Sequence, residues 1–286
     1  MRKPNFFIVG HHRSSGTSLE MNLMQHPEIF VVHHKRGFFG FQTDFKSENK
    51  YLELFKNATN EKLVGERCAD YILCDFSASR LKKYVPDAKI LLIIRNPIDV
   101  MFSIHSKMYL VETIENISNF EDALNAEAKR LEENIQFPDK NPPQILYRTV
   151  VKYTKQLSRY YKEFGKENVK VVIFDEITKH PEEIYKEIFE FLKVDSSFIP
   201  DFQAVNQNRH PRNRLLQSLF KKNQKLSSIV GKIPGIREFY LNINLPVSKR
   251  DGINPELQRN LQKELLPEIE ELSTLLNKDL TYWCKN

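Results

Sequence analysis

The segment FFIVGHHRSSGTSL, residues 6–19, joins a short apolar run to a loop of small and basic residues. The run Phe6–Val9 is rich in residues that favour β-strands, and it ends at Gly10. A helix-like stretch from Ser18 to Met24 follows the loop and stops before Pro27. A strand, a loop and a helix in this order predict the first unit of an open α/β fold, in which the loop after the first strand holds a ligand.

Three further apolar runs extend this pattern along the chain. Ile90–Ile94 is continuous, as expected of a strand covered on both faces, and a helix-like segment begins at about Pro97. Val169–Phe174 precedes an amphipathic helix, and a weaker run begins at Leu63–Gly65. Strands that alternate with helices predict a three-layer α/β sandwich with a central parallel sheet flanked by helices. The C-terminal third reads as helices joined by turns, and we expect residues 1–286 to form one domain.

Composition narrows the class of protein. The chain has 286 residues, of which 41% are apolar and 28% charged, and a formal charge of +6. These values exclude a disordered or collagen-like chain. Because Lys and Glu are interleaved almost everywhere, the positive excess suits an anionic ligand without indicating nucleic acid. The three cysteines lack a metal-ligand spacing, and no run approaches the ~20 apolar residues of a membrane span, so we expect a cytoplasmic protein with free thiols.

The loop Gly10–Leu19 combines small residues, hydroxyl groups and the guanidinium of Arg13 in front of a helix N-terminus. Backbone N–H groups and a helix dipole in this arrangement suit a phosphate. Five residues separate Gly10 from Gly16, where the Walker motif has four, and Thr17 replaces the lysine that reaches the β/γ-phosphates. The loop is therefore P-loop-like, but it lacks a group on which nucleoside triphosphate binding depends.

A second candidate anion site lies at Arg95, directly after the run Ile90–Ile94, with Ser103 eight residues further on. An arginine at the end of a buried strand projects into the crevice that also holds the first loop. A serine about two turns into the following helix can lie beside it. A guanidinium and a hydroxyl form a receptor for a second phosphate. The sequence thus predicts two phosphate sites on one edge of the sheet.

Together these elements resemble the sulfotransferases that use 3′-phosphoadenosine 5′-phosphosulfate (PAPS), especially microbial carbohydrate and heparan-type members. The loop Gly10–Leu19 resembles the family's 5′-phosphosulfate loop, and Ile93 to Ser103 closely resembles its 3′-phosphate element. Softer matches extend the resemblance over nearly the whole chain, at residues 25–29, 65–71, 159–176, 209–212 and 279–283. The resemblance implies transfer of a sulfuryl group from PAPS, as co-substrate, to a hydroxyl or amine acceptor, with no metal.

The resemblance also implies a role for each matching residue. Arg13 would lie beside the bridging oxygen and the transferring sulfonate. The 5′-phosphosulfate contacts would come from Arg13, Ser14, Ser15, Gly16, Thr17 and Ser18, and the 3′-phosphate contacts from Arg95 and Ser103. A basic loop that holds Arg209 and Arg212 matches the one that closes over the 3′-phosphate in the family, although it could equally be a solvated loop.

The general base is the least defined part of the predicted site. Members with a Lys-Glu-Pro run after the second strand often carry a glutamate there, whereas this chain reads Lys35-Arg36-Gly37. His33 and His34 directly precede that run, and a histidine, which titrates near neutral pH, can accept the proton of the acceptor hydroxyl. Glu66, at the end of another candidate strand, is the rival. It could instead form an ion pair with Arg67 or Lys35.

Two other classes of function compete with this prediction. A P-loop kinase or nucleotidase is disfavoured by the missing loop lysine and by the lack of a clear strand-end Asp for magnesium. A non-catalytic protein would keep the nucleotide site without the base, which the Lys35–Gly37 run allows. The sequence does not define the acceptor, since a glycan, a lipid head group and a small metabolite all fit.

Overall fold

A computed structural model describes residues 1–11, 13–14, 16–33, 37–40, 45–112, 114–132, 145–202 and 252–285. Five strands form one sheet in the order β2-β3-β1-β4-β5, and every neighbouring pair is parallel. The strands are β1 (Phe6–Gly10), β2 (Ile29–His33), β3 (Leu63–Cys68), β4 (Lys89–Ile94) and β5 (Val169–Ile173). The predicted α/β class with a central parallel sheet is confirmed.

Helices cover both faces of the sheet. The α-helices are α1 (Gly16–Leu23), α2 (Glu48–Leu52), α3 (Ser77–Tyr84), α4 (Pro97–Ser106), α5 (Phe120–Glu132), α6 (Tyr147–Val150), α7 (Tyr153–Phe164), α8 (Phe174–Lys179), α9 (Pro181–Leu192) and α10 (Pro255–Leu276). A π-helical segment, Lys107–Glu112, continues α4. Short 3₁₀ turns lie at Glu53–Phe55, Ala69–Tyr71, Lys166–Asn168 and Thr281–Cys284. No helix among these residues is long and apolar enough to cross a bilayer.

Two apolar clusters divide along the two faces of the sheet, because alternate residues of a strand point to opposite sides. One cluster joins Phe7, Leu92 and their neighbours to α3, α4, α7 and α10. The other joins Phe6, Ile8 and Leu91 to α1 and α9. Both sides of β1 and β4 are thus covered, which explains why these strands read as unbroken apolar runs. The three layers predicted from the sequence are present.

Several element boundaries differ from the sequence prediction by one or two residues. Helix α1 begins at Gly16 and not at Ser18, because the first turn faces the loop and needs no apolar residue to mark it. Phe174 begins helix α8 where a strand residue was predicted. Thr17 and Ser18 consequently belong to the first helical turn, where backbone N–H groups have no partner within the helix.

All five strands end at the same edge of the sheet, because they run in parallel. The end of β1 is held close to β4 at Gly10, where an added Cβ would lie 2.8 Å from the carbonyl oxygen of Ile93. A glycine is required there by this approach. The loop after β1 therefore begins directly beside the end of β4, which carries Arg95.

Candidate active site

The loop after β1 contains a tight turn centred on Arg13. The backbone N–H of Ser14 donates a hydrogen bond to the carbonyl oxygen of His11 at 3.2 Å, and Arg13 has a φ of 75°. Arg13 is the third residue of this four-residue turn, and a positive φ at that position is normally supplied by glycine. A residue with a Cβ costs about 1–2 kcal/mol in this region. Strain of this kind is concentrated at functional sites, so the side chain of Arg13 is a first candidate for function.

The side chain of Arg13 extends from the loop to helix α4. Its Nε donates a hydrogen bond to Oγ of Ser103 at 2.8 Å, and Ser103 is buried. Burial, and then repulsion from the nearby cation of Arg95, lower the pKa of the Arg13 guanidinium. Arginine nevertheless stays charged and can only donate hydrogen bonds. The loop and the second predicted phosphate element therefore meet at this contact.

Arg95 makes the second link between the two elements. Its Nη1 approaches the carbonyl oxygen of Arg13 at 3.5 Å, and its Nη2 forms an ion pair with Asp99 at 2.8 Å. The guanidinium lies over the ring of Phe174, 4.7 Å from the centroid, at the end of the neighbouring strand β5. The hydroxyl of Tyr153 donates to the carbonyl oxygen of Arg95 at 2.9 Å and fixes its backbone. These contacts fix Arg95 beside the loop that follows β1.

Two buried polar side-chain atoms, one in the loop after β1 and one on Arg95, have no hydrogen-bond partner within the described part of the chain. They are Oγ of Ser14, in a residue with no exposed surface, and Nε of Arg95. Buried polar atoms of native proteins are nearly always hydrogen-bonded, and an orphaned one needs an explanation. Both are donors, which phosphate oxygens accept from. The site thus fits an anionic ligand with several acceptor oxygens.

Arg67 is a functional candidate to which the sequence analysis gave no role beyond a possible ion pair with Glu66, although it lies in the matching segment 65–71. Its Nε bonds to Oε2 of Glu20 at 2.5 Å, and its Nη2 donates to Oγ1 of Thr17 at 3.1 Å. Its Cδ lies 3.2 Å from where a Cβ on Gly16 would stand. Glu66 and Arg67 are adjacent on β3, so their side chains point to opposite faces. That alternation was the available signal that Arg67 faces helix α1.

Glu66 lies on the other face, in an aromatic part of the core. Its side chain is fully buried, and Oε1 accepts a hydrogen bond from the hydroxyl of Tyr71 at 2.5 Å. Burial, and secondarily the Glu66 carboxylate, raise the pKa of Tyr71 well above its ordinary value, so this hydroxyl keeps its proton. The N–H of Phe39 approaches the same hydroxyl at 3.4 Å, and Gly37 packs directly on the Tyr71 ring. The segment after β2 therefore covers the Glu66–Tyr71 pair.

Several predicted site residues lie outside the described residues, namely Ser15, His34, Arg209 and Arg212. His33 is the last residue of β2, paired in register with Arg67, and its side chain is not described. Thr17 and Ser18 are half-buried in the first turn of α1. In the described ranges, no three His, Cys, Asp or Glu side chains are grouped as a metal ion would need.

The strand order and the loop linked to Arg95 and Ser103 define an α/β protein with two candidate anion-binding elements at one sheet edge. The model of the Sulfotransferase family matches residues 53–200, just over half of the chain. The protein belongs to the sulfotransferase family. The family predicted from the sequence is confirmed, and the match favours it over the kinase alternative.

Two curated relatives are similar to this chain. The membrane-associated sulfotransferase kil1 of Dictyostelium discoideum is 21% identical over 80% of the chain. The bifunctional heparan sulfate N-deacetylase/N-sulfotransferase 1 of Caenorhabditis briggsae is 20% identical over 67% of it. The chain spans 65% of the length of the first relative and 23% of the second.

Solved structures show the same architecture. A sulfotransferase from Alicyclobacillus acidocaldarius is 26% identical, with a TM-score of 0.74 and 99% of both chains covered. Mouse sulfotransferase SULT7A1, complexed with PAP, has a TM-score of 0.53 at 13% identity, with 100% of this chain and 89% of that chain covered. The second likeness shows the fold alone.

Proposed function

We propose that residues 1–286 act as one sulfotransferase domain that transfers the sulfuryl group of PAPS to a hydroxyl or amine acceptor. One observation carries the proposal: the side chain of Arg13 bonds Ser103 while its carbonyl oxygen faces Arg95. The two elements assigned to the two phosphates of the donor thus form one connected cluster. Membership in the family and the fold shared with a sulfotransferase complexed with PAP support the same donor.

The donor is held at its two ends by different residues. Those assigned to the 5′-phosphosulfate are Arg13, Ser14, Ser15, Gly16, Thr17 and Ser18. Those assigned to the 3′-phosphate are Arg95 and Ser103, together with Arg209 and Arg212. The orphaned donors on Ser14 and Arg95 fit these assignments, because one belongs to each group.

The reaction exchanges one bond to sulfur for another. The bond between sulfur and the bridging phosphate oxygen breaks, a bond forms from the acceptor oxygen or nitrogen, and the acceptor's proton passes to a base. Sulfuryl transfer, like phosphoryl transfer, is expected to have a loose transition state, so positioning and charge stabilisation dominate. Arg13 would stabilise charge on the bridging oxygen and the sulfonate, and it is too basic to donate a proton to the leaving group.

The base is proposed to be His33, His34 or Glu66. The burial of Glu66 beneath Tyr71 makes a direct contact with an acceptor depend on movement of the covering segment, whereas His33 stands at the carboxyl edge of β2. A histidine base gives a fall in kcat/KM below about pH 6.5 that disappears in the responsible variant. The pH–rate profiles of His33→Ala, His34→Ala and Glu66→Gln separate the candidates. Binding of donor without turnover in any condition would instead support the non-catalytic alternative.

Titration calorimetry tests the donor assignment directly. The protein is expected to bind adenosine 3′,5′-bisphosphate (PAP) without added metal, and far more tightly than adenosine 5′-monophosphate. Arg95→Ala should remove most of that preference, because Arg95 is assigned to the 3′-phosphate. Arg80→Ala, which removes an exposed arginine from α3, is the control of equal charge. Equal affinity for the two nucleotides in the wild type would refute the assignment.

The acceptor and the location in the cell belong to the same proposal. The acceptor class stays open among glycans, lipids and small metabolites, and one curated relative is a membrane-associated sulfotransferase. A cytoplasmic location remains our prediction. Fractionation of cells that express the protein tests it, since recovery in the membrane pellet would contradict it.

A further inference from the structure

The guanidinium of Arg67 packs against the start of helix α1, directly after the predicted donor loop. It extends from β3 across Gly16 to helix α1, where it contacts both Glu20 and Thr17. The side chains of Arg67 and Glu20 are only 11% and 6% exposed, so this ion pair is largely removed from water. A buried pair of this kind holds its geometry tightly, because breaking it leaves an uncompensated charge.

The contact with Thr17 fixes the direction of a hydroxyl hydrogen. A guanidinium can only donate hydrogen bonds, so Oγ1 of Thr17 must be the acceptor in the 3.1 Å contact with Arg67. The hydroxyl's own hydrogen then points away from Arg67 and can be donated elsewhere. Thr17 lies half-buried in the first turn of α1, beside the predicted phosphate loop. An acceptor-only oxygen of the donor is a suitable partner there.

Glu20 holds Arg67 in place for this task. It occupies α1 one turn after Thr17, and it binds Nε of Arg67 while Nη2 of the same guanidinium reaches Thr17. The planar guanidinium gives these two bonds a fixed angle. Glu20 also neutralises the charge of Arg67, so the pair contributes orientation to the loop and adds little net charge.

We propose that Arg67 is a positioning residue that turns the hydroxyl of Thr17 toward the 5′-phosphosulfate, with Glu20 holding Arg67 in register. The inference rests on the proposed function for the identity of the ligand. Beyond the proposed function, the inference states that Arg67 affects binding of the 5′ end of the nucleotide only, and that it does so through Thr17.

A double-mutant cycle read by PAP affinity tests the proposal. Arg67→Gln and Thr17→Val should each weaken PAP binding about tenfold, the worth of one hydrogen bond to a charged group. If Arg67 acts through Thr17, adding Arg67→Gln to Thr17→Val should change affinity less than about twofold. Affinity for adenosine 3′-monophosphate, which lacks the 5′-phosphate, should stay unchanged in all variants. Arg67→Lys, which retains a cationic donor, should recover part of the affinity.

Two further variants separate positioning from a general loss of structure. Glu20→Gln combined with Arg67→Gln removes both buried charges, so the cycle can be repeated if Arg67→Gln alone does not fold. Lys170→Gln breaks a more exposed strand-to-helix ion pair, Lys170 to Glu187 at 2.8 Å, and should leave both affinities unchanged.

Each outcome either supports the role proposed for Arg67 or overturns it. Additive losses in the cycle, an equal loss for both nucleotides, or no loss in Arg67→Gln would overturn the role of Arg67 while PAP binding by the wild type still upholds the proposed function. A wild-type protein that does not bind PAP would refute the donor assignment, and this inference with it.

Discussion

The Arg13→Gly variant should be more stable than the Arg13→Ala variant, the reverse of the order usual for these two residues. Both substitutions remove the bond to Ser103, so they differ only in how they accept the backbone φ of 75°. Alanine keeps a penalty of about 1–2 kcal/mol for a Cβ in the left-handed region. Glycine avoids that penalty but lowers the free energy of unfolding by about 0.4–1 kcal/mol, because it gives the unfolded chain more conformational entropy. The net difference is about 1 kcal/mol in favour of Arg13→Gly.

Urea unfolding measures the difference, together with thermal melting, in which about 1 kcal/mol corresponds to roughly 2–4 °C. The control is Lys186, an exposed residue in the middle of helix α9, where Lys186→Ala should be more stable than Lys186→Gly by about 1 kcal/mol. Alanine at least as stable as glycine at position 13 would show that the turn is not left-handed in solution.

Activity should not follow stability in this pair of variants. Both should lower kcat by on the order of 10²–10³-fold, since each removes the cation that is proposed to stabilise charge developing in the transition state. Single-turnover rates at saturating PAPS, with PAP affinity measured in parallel, check this. A main effect on donor affinity, with kcat preserved, would make Arg13 a ground-state anchor instead.

Three further outcomes concern stability. Burial lowers the pKa of His105 in the folded protein, so the unfolded chain binds a proton at this residue first as pH falls. The free energy of unfolding should therefore decrease below about pH 6.5, by at most ~1.4 kcal/mol per pH unit. In urea titrations His105→Gln should reduce this pH dependence, whereas the exposed control His180→Gln should not. Arg130→Met removes the cation that lies 2.8 Å from the buried Glu115 carboxylate, and it should lower the free energy of unfolding by about 3–5 kcal/mol. An unchanged free energy of unfolding would show that water reaches this site. Trp283→Phe removes the 2.6 Å hydrogen bond from Nε1 to Asp175, the second residue of helix α8, and should lower the free energy of unfolding by about 1.5–3 kcal/mol. An unchanged denaturation midpoint would contradict the role given to that bond.

The central strands could be predicted from sequence because they are covered on both faces. Ile90–Ile94 shows this as an unbroken apolar run, and β4 fills that position with one added residue, Lys89. Arg95 and Ser103 could be placed because helix and strand geometry carry both to the crevice. Local spacing was sufficient in each case.

Contacts between distant segments could not be derived in this way. Glu115 bonds Arg130 and Tyr147, which lie 15 and 32 residues further along the chain, and no periodicity links them. The ion-pair partner of Arg67 could not be derived for a similar reason: Glu20 stands 47 residues earlier, and the choice between it and Glu66 depends on the face to which β3 turns each side chain. The hydroxyl partner of Glu66, Tyr71, lies close in sequence but depends on the chain turning back after β3.

Arg13 links the two elements that are proposed to hold the donor, since its side chain contacts Ser103 and its carbonyl oxygen contacts Arg95. A change of donor specificity therefore cannot be made at one half alone. If the proposed assignments hold, acceptance of a sulfate donor without a 3′-phosphate would require more than shortening the Arg95 side chain, because that substitution also removes a contact to the backbone of Arg13, the residue proposed to face the sulfonate. The first loop would have to be rebuilt at the same time, and this interdependence makes the choice of donor hard to change by single substitutions.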